Sequence, residues 1–415
     1  DAKGSGPFAS PRTYAPPVTA RTPSAPWVEI AELERDPHPI LARLRTQGSV
    51  VHVPALGGWI VTTRELVLAA MRDDVGLTVD DPRFTTGRIT GPSMLSTDGA
   101  EHARHRAPFA RPFRLDAIRE RFTREAALEV ERLIDAFAAD GEAELRTQLA
   151  APLATRMMIR ALGLDIADEG DILDWYARIV DAVQQLSAGA DLPQDGADAY
   201  ASFAAALETA LNAADGESSL LAAALGDAAA LTRDELTSNA AILLFGGIET
   251  TEGMIANLLH HLLSVDQLAE VAADADLLDG AIEESLRMEP AAAVLDRYAT
   301  ADVELDGVMI PQGDLVILSM ASANRDESVF PDPDRFDPRR ANAKLHTTFA
   351  TGPHVCLGMH LARLEARAAI TGLARRLPGL HADAVRPSAP HGLVFRKPPT
   401  VWACWPTGEP GRSAA

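Results

Sequence analysis

A short loop that holds a cysteine between two glycines constrains this chain more than any other segment. It reads Phe349-Ala-Thr-Gly-Pro-His-Val-Cys356-Leu-Gly358 and contains one of the two cysteines among 415 residues. Apolar residues then recur at steps of three and four over residues 361–377, which predicts a helix that begins just after Cys356. The free N–H groups and the dipole of a helix start favour an anion. Gly352 and Gly358 let the backbone turn and approach a flat ligand. The loop therefore suits a thiolate that binds iron.

Other interpretations of this loop stay open at the level of the residues alone. A single cysteine is most often a small buried hydrophobe, which is our interpretation of Cys404 in the apolar run 401–405. His354, Cys356 and His360 could ligate zinc, although their spacing is not a standard one. A cysteine hydrolase would instead need an exposed thiol beside an oriented histidine.

Composition restricts the class of protein. Hydrophobic residues make up 47% and charged residues 23% of the chain, as in ordinary globular proteins. The net charge of −21 disfavours nucleic acid as a partner, because phosphate binding needs a basic face. Two cysteines give no disulfide framework, and we see neither a signal peptide nor an apolar run of the ~18–20 residues that span a membrane. We expect a monomer in the cytoplasm with no membrane attachment.

Periodicity along the chain predicts a mainly α fold with a minor β portion. Helical patterns dominate residues 99–263, and a β-hairpin is predicted at residues 50–53 and 59–62. Strand signals return after residue 290, at residues 302–310 and 314–319. Residues 73–96 are rich in Gly, Pro, Asp and Thr and predict a long loop. We expect a flexible lead over residues 1–26 and one catalytic domain over residues 27–415.

A second segment with unusual chemistry lies inside the longest predicted helix. Thr232 and Glu235 form a capping-box pattern at its start, and the helix should run to about residue 263. Gly246 and Gly247 lie in its middle, where each glycine costs roughly 1 kcal/mol relative to alanine. A close helix crossing would explain the glycines. It would not explain why Glu249-Thr250 follows a long apolar run, since a buried charge needs water or a partner.

Together these segments resemble the cytochrome P450 family over essentially the whole chain from about residue 27. The cysteine loop matches the family pattern F-x-x-G-x-H-x-C-x-G at every fixed position, and the long helix matches (A/G)-G-x-(D/E)-T. Three shorter patterns agree in order along the chain: H-x-x-x-R at His102 and Arg106, E-x-x-R at Glu284 and Arg287, and R-x-A at Arg297. The resemblance implies a cytochrome P450 fold, with a long central helix over haem and small β-sheets near the termini.

The resemblance also implies a role for each matched residue. Cys356 would be the iron ligand of haem b, which is not covalently attached because no Cys-x-x-Cys-His occurs. Gly246 and Gly247 would open a groove for O2, with Thr250 and Glu249 managing protons. The remaining cofactor-binding residues would be His102, Arg106, Arg297 and His354 at the propionates, and Phe349, Gly352 and Gly358 in the loop.

Two structural details follow from the same resemblance. The Glu284–Arg287 pair would bind a later arginine, for which Arg335, Arg339 and Arg340 are candidates. Many bacterial members carry glycine directly after the loop phenylalanine, where this chain has Ala350. Alanine is tolerated there if the local φ is negative.

The implied activity is that of a haem-thiolate monooxygenase that uses O2 and two electrons from a ferredoxin with its reductase. It would hydroxylate, epoxidise or cyclise a lipophilic small molecule, in secondary-metabolite biosynthesis. Candidate substrate-pocket residues are Phe245, Ile248, Ala292, Val294, Leu295, Val394 and Phe395. An acidic ferredoxin would contact Arg104, Arg111 and Arg114, although an ordinary solvated face is the alternative. A non-catalytic haem-binding or gas-sensing protein would share Cys356 without needing Glu249-Thr250.

Overall fold

A computed structural model describes residues 23–164, 168–187, 191, 193–213, 219–225 and 231–407. The helices of this described part are α1 (Ile30–Arg35), α2 (His38–Gln47), α3 (Arg64–Ala70), α4 (Thr85–Thr90), α5 (Gly99–Ala110), α6 (Leu115–Asp135), α7 (Ala151–Leu162), α8 (Glu169–Ser187), α9 (Gln194–Ala213), α10 (Leu220–Leu225), α11 (Arg233–Ser264), α12 (Leu268–Ala273), α13 (Ala275–Met288), α14 (Met320–Ala323) and α15 (Met359–Arg376). The strands are β1 (Val50–Val53), β2 (Gly58–Val61), β3 (Leu77–Thr78), β4 (Glu142–Glu144), β5 (Val294–Ala299), β6 (Val303–Leu305), β7 (Val308–Ile310), β8 (Leu315–Ser319), β9 (His381–Ala382) and β10 (Trp402–Cys404). The mainly α fold with a minor β portion is confirmed.

The long helix α11 runs through the middle of the main core, as predicted. The Thr232 hydroxyl accepts from the N–H of Glu235, and the Glu235 carboxylate accepts from the N–H of Thr232, so the capping box is present. Its length and apolar composition would allow α11 to cross a membrane, but 67% of its most apolar window is buried inside the fold, as in a core helix. The same hydrophobic cluster includes residues of α6, α7, α13 and α15.

A five-stranded sheet in the order β1-β2-β8-β5-β3 joins the two halves of the chain. The predicted hairpin is confirmed, since β1 pairs antiparallel with β2 and Val51 faces Ile60. The β2 strand then pairs in parallel with β8, so that Ile60 lies beside Ile317. The predicted strand segment 302–310 is in fact the hairpin β6–β7, which turns at Asp306-Gly307 with positive φ at both residues.

Two predictions about less regular segments are wrong. Residues 73–96 are not one long loop, because they contain β3 and α4. The flexible lead does not reach residue 26: Ala25 is fully buried and donates its N–H to the carbonyl of His52. The apolar contacts of residue 25 in the core near β1 explain this order. Residues 1–22 lie outside the described part.

Candidate active site

The cysteine loop is fixed by a backbone hydrogen bond and by one glycine with a left-handed conformation. The N–H of Cys356 donates to the carbonyl of Phe349 at 2.9 Å. Gly352 has φ +74°, and a Cβ there would lie 3.0 Å from the carbonyl oxygen of Met71. The condition for tolerating Ala350 without cost is not met, because its φ is +56°, a conformation that L-residues adopt at a cost.

Gly358 acts differently from Gly352. Its φ is −76°, and a Cβ there would meet only Cys356 Sγ, at 4.0 Å. It directly precedes α15, so glycine is not needed for a turn at this position. The absence of a side chain at Gly358 instead leaves space beside Cys356 Sγ.

The Cys356 thiol combines an accessible surface with desolvated surroundings. Its surface is accessible, yet burial raises the pKa of the thiol. The N–H groups of Gly358 and Met359, with Arg106 and Arg363, lower that pKa, but burial outweighs them. The favourable helix start that we predicted is therefore present but does not ionise the thiol by itself. A metal ion would, because a coordinated thiol loses its proton.

The two central glycines of α11 have different surroundings. A Cβ on Gly247 would lie 2.3 Å from Met158 Sδ on α7, whereas a Cβ on Gly246 would meet nothing within 4 Å. Gly247 is thus a packing position, as a simple helix crossing predicts. The prediction that Gly247 opens a groove is wrong, and the open side lies at Gly246.

The acid and the hydroxyl that follow these glycines have defined partners. Thr250 donates its hydroxyl hydrogen to the carbonyl of Gly246 at 2.5 Å. The Glu249 carboxylate forms an ion pair with Lys397 Nζ at 2.8 Å, and Tyr176 OH lies 3.4 Å from its other oxygen. Burial, and then Glu249, raise the pKa of Tyr176 well above its usual range, so its phenol stays protonated.

The four predicted propionate-binding side chains lie around the cysteine loop. The rings of His102 and His354 are 4.1 Å apart. The two nitrogens of His102 face the carbonyls of Met94 and Pro353, and Arg106 donates to the carbonyl of Val355. Burial lowers the pKa of His102, and the neighbouring His354 acts in the same direction.

Arg297 and Asp98 complete this group. Arg297 is buried, and its one side-chain hydrogen bond among the described residues goes to the carbonyl of Asp296. Donors therefore remain for a carboxylate. Asp98 accepts from His354 Nε2 at 2.7 Å. Burial raises the pKa of Asp98, but hydrogen bonds from His354 and Thr78 outweigh it, so that the pKa lies well below its usual range.

These observations fit a haem. The thiol is accessible but desolvated, and a Cβ on Gly246 would meet no atom within 4 Å. A buried arginine with unused donors lies near two histidines that the cysteine loop brings together. Haem b needs this combination of an axial thiolate, a flat space and cations for two carboxylates.

The predicted Glu284–Arg287 pair is fully buried and bidentate, with N–O distances of 2.7 and 2.9 Å. Of the three candidate arginines, Arg340 is the one that binds Glu284, at 2.8 Å from its Nε. Arg335 and Arg339 pair instead with Asp337 and Glu270 at the surface. Arg287 also donates to the carbonyls of Asn324 and Pro333, so the pair holds the segment that leads to the cysteine loop.

A narrow cavity lies between α4, α8, α9 and the first half of α11. Its lining is apolar except for two threonines and one tyrosine: Thr86, Thr90, Tyr176, Ile179, Phe203, Ala241, Ile242, Leu244 and Phe245. Of the seven predicted pocket residues, Phe245 lines this cavity. The ring of Phe395 packs edge-on against the ring of Phe245, with centroids 6.0 Å apart.

The other predicted pocket residues lie elsewhere. Ile248 is 3% exposed and belongs to the main core, whereas Val394 is 45% exposed at the surface. Ala292, Val294 and Leu295 pack against the clusters around the five-stranded sheet. These residues were chosen because they lie near the motifs in the sequence, and nearness in sequence does not determine whether a side chain faces the cavity, the core or the solvent.

The predicted docking arginines do not act as one surface. Arg104 binds Glu101 and forms a bidentate pair with Glu235, so it connects α5 to the start of α11. These contacts within the chain occupy Arg104, and its role in docking a partner stays a prediction. Arg111 also makes contacts within the chain. Arg114 and Arg119 are exposed instead and, with Leu115, Asp116 and His360, line a shallow surface depression. His360 lies four residues after Cys356.

The zinc interpretation of the loop is not supported. His354 Nε2 points at Asp98, and among the described residues the ligand-type groups that converge are Glu101, His105 and Glu235, and Glu142, Asp383 and Cys404. In the group of Glu101, His105 and Glu235, the cation of Arg104 already occupies the centre, since its Nη2 lies 3.3 Å from His105 Nε2. Cys404 is half-buried on β10, so it is only partly the buried hydrophobe that we predicted.

Sequence reasoning missed three residues of the site, Asp98, Tyr176 and Lys397. Each belongs to an element far along the chain from its partner, and single side chains of this kind carry no motif. Lys397 had one usable signal. Lysine occurs at only three positions, 3, 344 and 397, in a chain with 38 basic residues.

Comparisons with known proteins agree with this geometry. The sequence model described as "Cytochrome P450" matches residues 269–402. The chain is 36% identical over 412 residues to "Cytochrome P450 monooxygenase PikC" of Streptomyces venezuelae, which covers 92% of this chain and 93% of that protein. It is 32% identical over 362 residues to "Mycinamicin IV hydroxylase/epoxidase" of Micromonospora griseorubida, covering 83% and 89%. The crystal structure of CalO2 superposes with a TM-score of 0.83 and 31% identity, over 91% of this chain and 98% of that one.

Proposed function

Since this chain belongs to the cytochrome P450 family and is a haem-thiolate monooxygenase, we propose that it hydroxylates, epoxidises or cyclises a lipophilic product of secondary metabolism. The carrying observation is the cavity beside Phe245, whose wall is apolar except for Thr86, Thr90 and Tyr176. Such a wall favours a ligand that is mostly hydrocarbon, with a few polar groups that fix its orientation. The name of the mycinamicin relative, a hydroxylase and epoxidase, supports the same range of reactions.

The cofactor supplies the oxidative chemistry, because a cysteine-ligated haem activates O2 and favours cleavage of the O–O bond. We assign Cys356 as its iron ligand, with loop support from Phe349, Gly352 and Gly358. His102, Arg106, Arg297 and His354 would hold the propionates, and Asp98 would orient His354. These assignments rest on the side chains gathered around the loop.

We assign O2 to the open face at Gly246, with Thr250 and Glu249 as the residues that would handle protons. The Thr250 hydroxyl already points at the Gly246 carbonyl, so it can rotate between that carbonyl and a group in the groove. Glu249 lies 3.4 Å from the hydroxyl of Tyr176, and Tyr176 lines the cavity. This contact supports a role for the acid close to the bound substrate. The Glu284–Arg287–Arg340 cluster serves the fold.

Two variants test the iron ligand. Cys356→Ser should abolish the red-shifted Soret band of the reduced carbon monoxide complex, because that band reports thiolate ligation. Cys404→Ser is the matched control, since it removes the other cysteine, and it should keep the band. Loss of the band in the Cys404 variant alone would overturn the assignment. A panel of lipophilic compounds, macrolactones included, should then identify substrates through the spin-state shift of the haem.

For the electron donor we propose a ferredoxin that docks on the depression lined by Arg114, Arg119, Leu115 and His360. The depression has an exposed leucine, at 40% exposure, beside two exposed arginines. It also lies next to the start of α15, because His360 lines it, and α15 begins three residues after Cys356. Apolar contact with a basic rim suits an acidic partner.

Reversing Arg114 and Arg119 to glutamate should raise the ferredoxin concentration needed for half-maximal turnover. The effect should be larger at low salt, because charges are screened beyond about 8 Å at physiological ionic strength. Arg35→Glu is the control, since Arg35 is exposed on α1 and only loosely paired with Glu32, at 4.0 Å. An equal effect at all salt concentrations would place the docking face elsewhere.

We also propose a monomer in the cytoplasm. Cys356 and Cys404 form no disulfide with each other, as expected in a reducing compartment. Gel filtration of the holoprotein and fractionation of the producing cells would test the two statements separately. The non-catalytic haem-binding alternative is not retained, since the relatives are monooxygenases.

A further inference from the structure

The cavity beside Phe245 has few polar groups, so the hydrogen bonds that each of them makes can be followed one by one. Among the described residues that line it, Thr86, Thr90 and Tyr176 are polar, and none is an acid or a base. Buried polar groups almost always have a hydrogen-bond partner. A polar group of this lining that the protein leaves without a good partner is therefore available to a ligand.

Thr90 is not available, because contacts within the protein occupy it. Its carbonyl accepts from the hydroxyl of Tyr200 at 2.9 Å and also from the hydroxyl of Ser238. A carbonyl oxygen has two lone pairs, and these two donors use both. The Thr90 hydroxyl donates to the carbonyl of Thr86 at 3.2 Å. These bonds also attach the end of α4 to α9 and α11, so α4 holds a fixed position at the cavity wall.

The hydroxyls of Tyr176 and Thr86 are in a different situation. The Tyr176 hydroxyl donates to Glu249 over 3.4 Å, whereas a good O–H···O bond is about 2.7–2.8 Å long. Burial keeps the pKa of Tyr176 raised, so its phenol remains a donor. The hydroxyl of Thr86 has no hydrogen-bond partner among the described residues. One hydroxyl on α8 and one on α4 are therefore open to a ligand in the same cavity.

We propose that Thr86 and Tyr176 form a specificity subsite that binds an uncharged oxygen, a hydroxyl or a carbonyl, carried on the hydrocarbon framework of the substrate. This rests on the proposed function, in which the cavity is the substrate space of the monooxygenase. Both side chains can donate to the lone pairs of such an oxygen, and Thr86 can accept in return from a ligand hydroxyl. A ligand carboxylate would be buried without a cation, because this lining contains no base.

The subsite has a consequence for the position of oxidation. Apolar contacts with residues such as Phe203 and Leu244 hold a hydrocarbon surface but do not fix its direction along the cavity. A hydrogen bond at Thr86 and Tyr176 fixes one atom of the substrate, and thereby selects which carbon faces the cofactor. Because the bonds of Thr90 already hold α4 in place, little ordering of the protein accompanies this contact.

Imidazoles that coordinate the haem iron test the proposal in the resting holoprotein, without turnover. The probes are 1-alkylimidazoles of increasing chain length that end in a methyl, a hydroxyl, a methyl ketone or a carboxylate, and the Soret shift on coordination gives each dissociation constant. The readout is the ratio of the constants for the methyl-ended and the oxygen-ended probe of equal length. At the length where this ratio is largest, Tyr176→Phe and Thr86→Val should each lower it about three- to tenfold, the contribution of one hydrogen bond. The carboxylate-ended probe should bind the wild type more weakly than the methyl-ended one.

Tyr200→Phe is the matched control, because it also removes a phenol hydroxyl, but one that the Thr90 carbonyl occupies, and it should leave the ratio unchanged. If neither Tyr176→Phe nor Thr86→Val lowers the ratio, or if Tyr200→Phe lowers it as much, the subsite is overturned. Tighter binding of the carboxylate-ended probe would overturn the uncharged class. Side chains that only stabilised the fold would weaken all probes alike. A Soret band that no imidazole shifts would contradict the haem assignment instead, so the two failures are distinguishable.

Discussion

The buried Glu284–Arg287–Arg340 cluster allows the sharpest test of how the cysteine loop is held. Glu284 and Arg287 are fully buried, and the side chain of Arg340 is 9% exposed. Arg339, the next residue, pairs with Glu270 at the surface, where the two side chains are 66% and 58% exposed. Three arginines of the same type therefore differ mainly in burial, so the series Arg287→Met, Arg340→Met and Arg339→Met measures what burial contributes.

The expected magnitudes follow from the partners that each variant leaves behind. Arg287→Met removes a fully buried bidentate partner of Glu284, which keeps only Arg340 as its cation, and it leaves the carbonyls of Asn324 and Pro333 without this donor. We expect the free energy of unfolding to fall by about 3–5 kcal/mol. Arg340→Met leaves the Glu284–Arg287 pair intact but removes the hydrogen bonds to three carbonyls in residues 331–335. We expect the free energy of unfolding to fall by about 1–3 kcal/mol. Arg339→Met should cost less than about 1 kcal/mol.

Denaturant titration followed by circular dichroism measures the loss of stability, and absorbance of the purified proteins measures how much haem each variant retains. The order Arg287, Arg340, Arg339 should hold in both assays, because the cluster anchors the chain that leads into the cysteine loop. An Arg287 variant within 1 kcal/mol of the wild type would refute the argument from burial. Equal effects of Arg339→Met and Arg340→Met would refute the selection of Arg340 as the third member.

The remaining predictions concern the proton relay and one buried acid. Thr250→Ala should bind haem and substrate normally but release more hydrogen peroxide per electron, whereas Thr250→Ser should resemble the wild type; unchanged coupling in the alanine variant would remove Thr250 from the mechanism. Glu249→Gln should slow turnover more than it weakens substrate binding, as steady-state kinetics beside a spin-shift titration would show. Glu365 is 1% exposed, its Oε2 has no hydrogen-bond partner among the described residues, and burial raises its pKa well above the usual 4.5. The folded protein thus keeps a proton that the unfolded chain loses, so this residue lowers stability as pH rises above 4.5. Glu365→Gln should therefore be more stable than the wild type near neutral pH and equally stable in acid. The same difference in melting temperature between the two proteins at both pH values would contradict this prediction.

The sequence predicted those parts of the site that depend on local spacing. Cys356 before α15, the capping box of α11 and the Glu284–Arg287 pair at i and i+3 each lie on one element, where helical geometry fixes neighbours. The hairpin β1–β2 was predictable for the same reason. Choosing Arg340 over Arg335 and Arg339 was not, because three arginines within six residues look alike until a fold buries one of them.

What sequence could not supply was the contact between distant elements. Gly246 and Gly247 are identical residues side by side, and only the position of Met158 on α7 makes one a packing contact and leaves the other open. Lys397 contacts Glu249, although the two residues are 148 positions apart in the sequence, through a short hairpin without a strong turn signal. The sequence left the φ of Ala350 open, because a residue's φ depends on the loop around it, and here it is positive.

The parallel pairing of β2 with β8 has a consequence for biosynthesis. The β2 strand is made early, but its partner on one edge begins only at Leu315. At typical rates of 5–20 residues per second, the ribosome needs on the order of tens of seconds to deliver that partner. During this interval the nascent chain carries a hairpin with an unpaired, largely apolar edge, since all four residues of β2 are buried in the finished sheet. We therefore expect the yield of soluble protein in a heterologous host to depend on chaperones that cover this edge during translation.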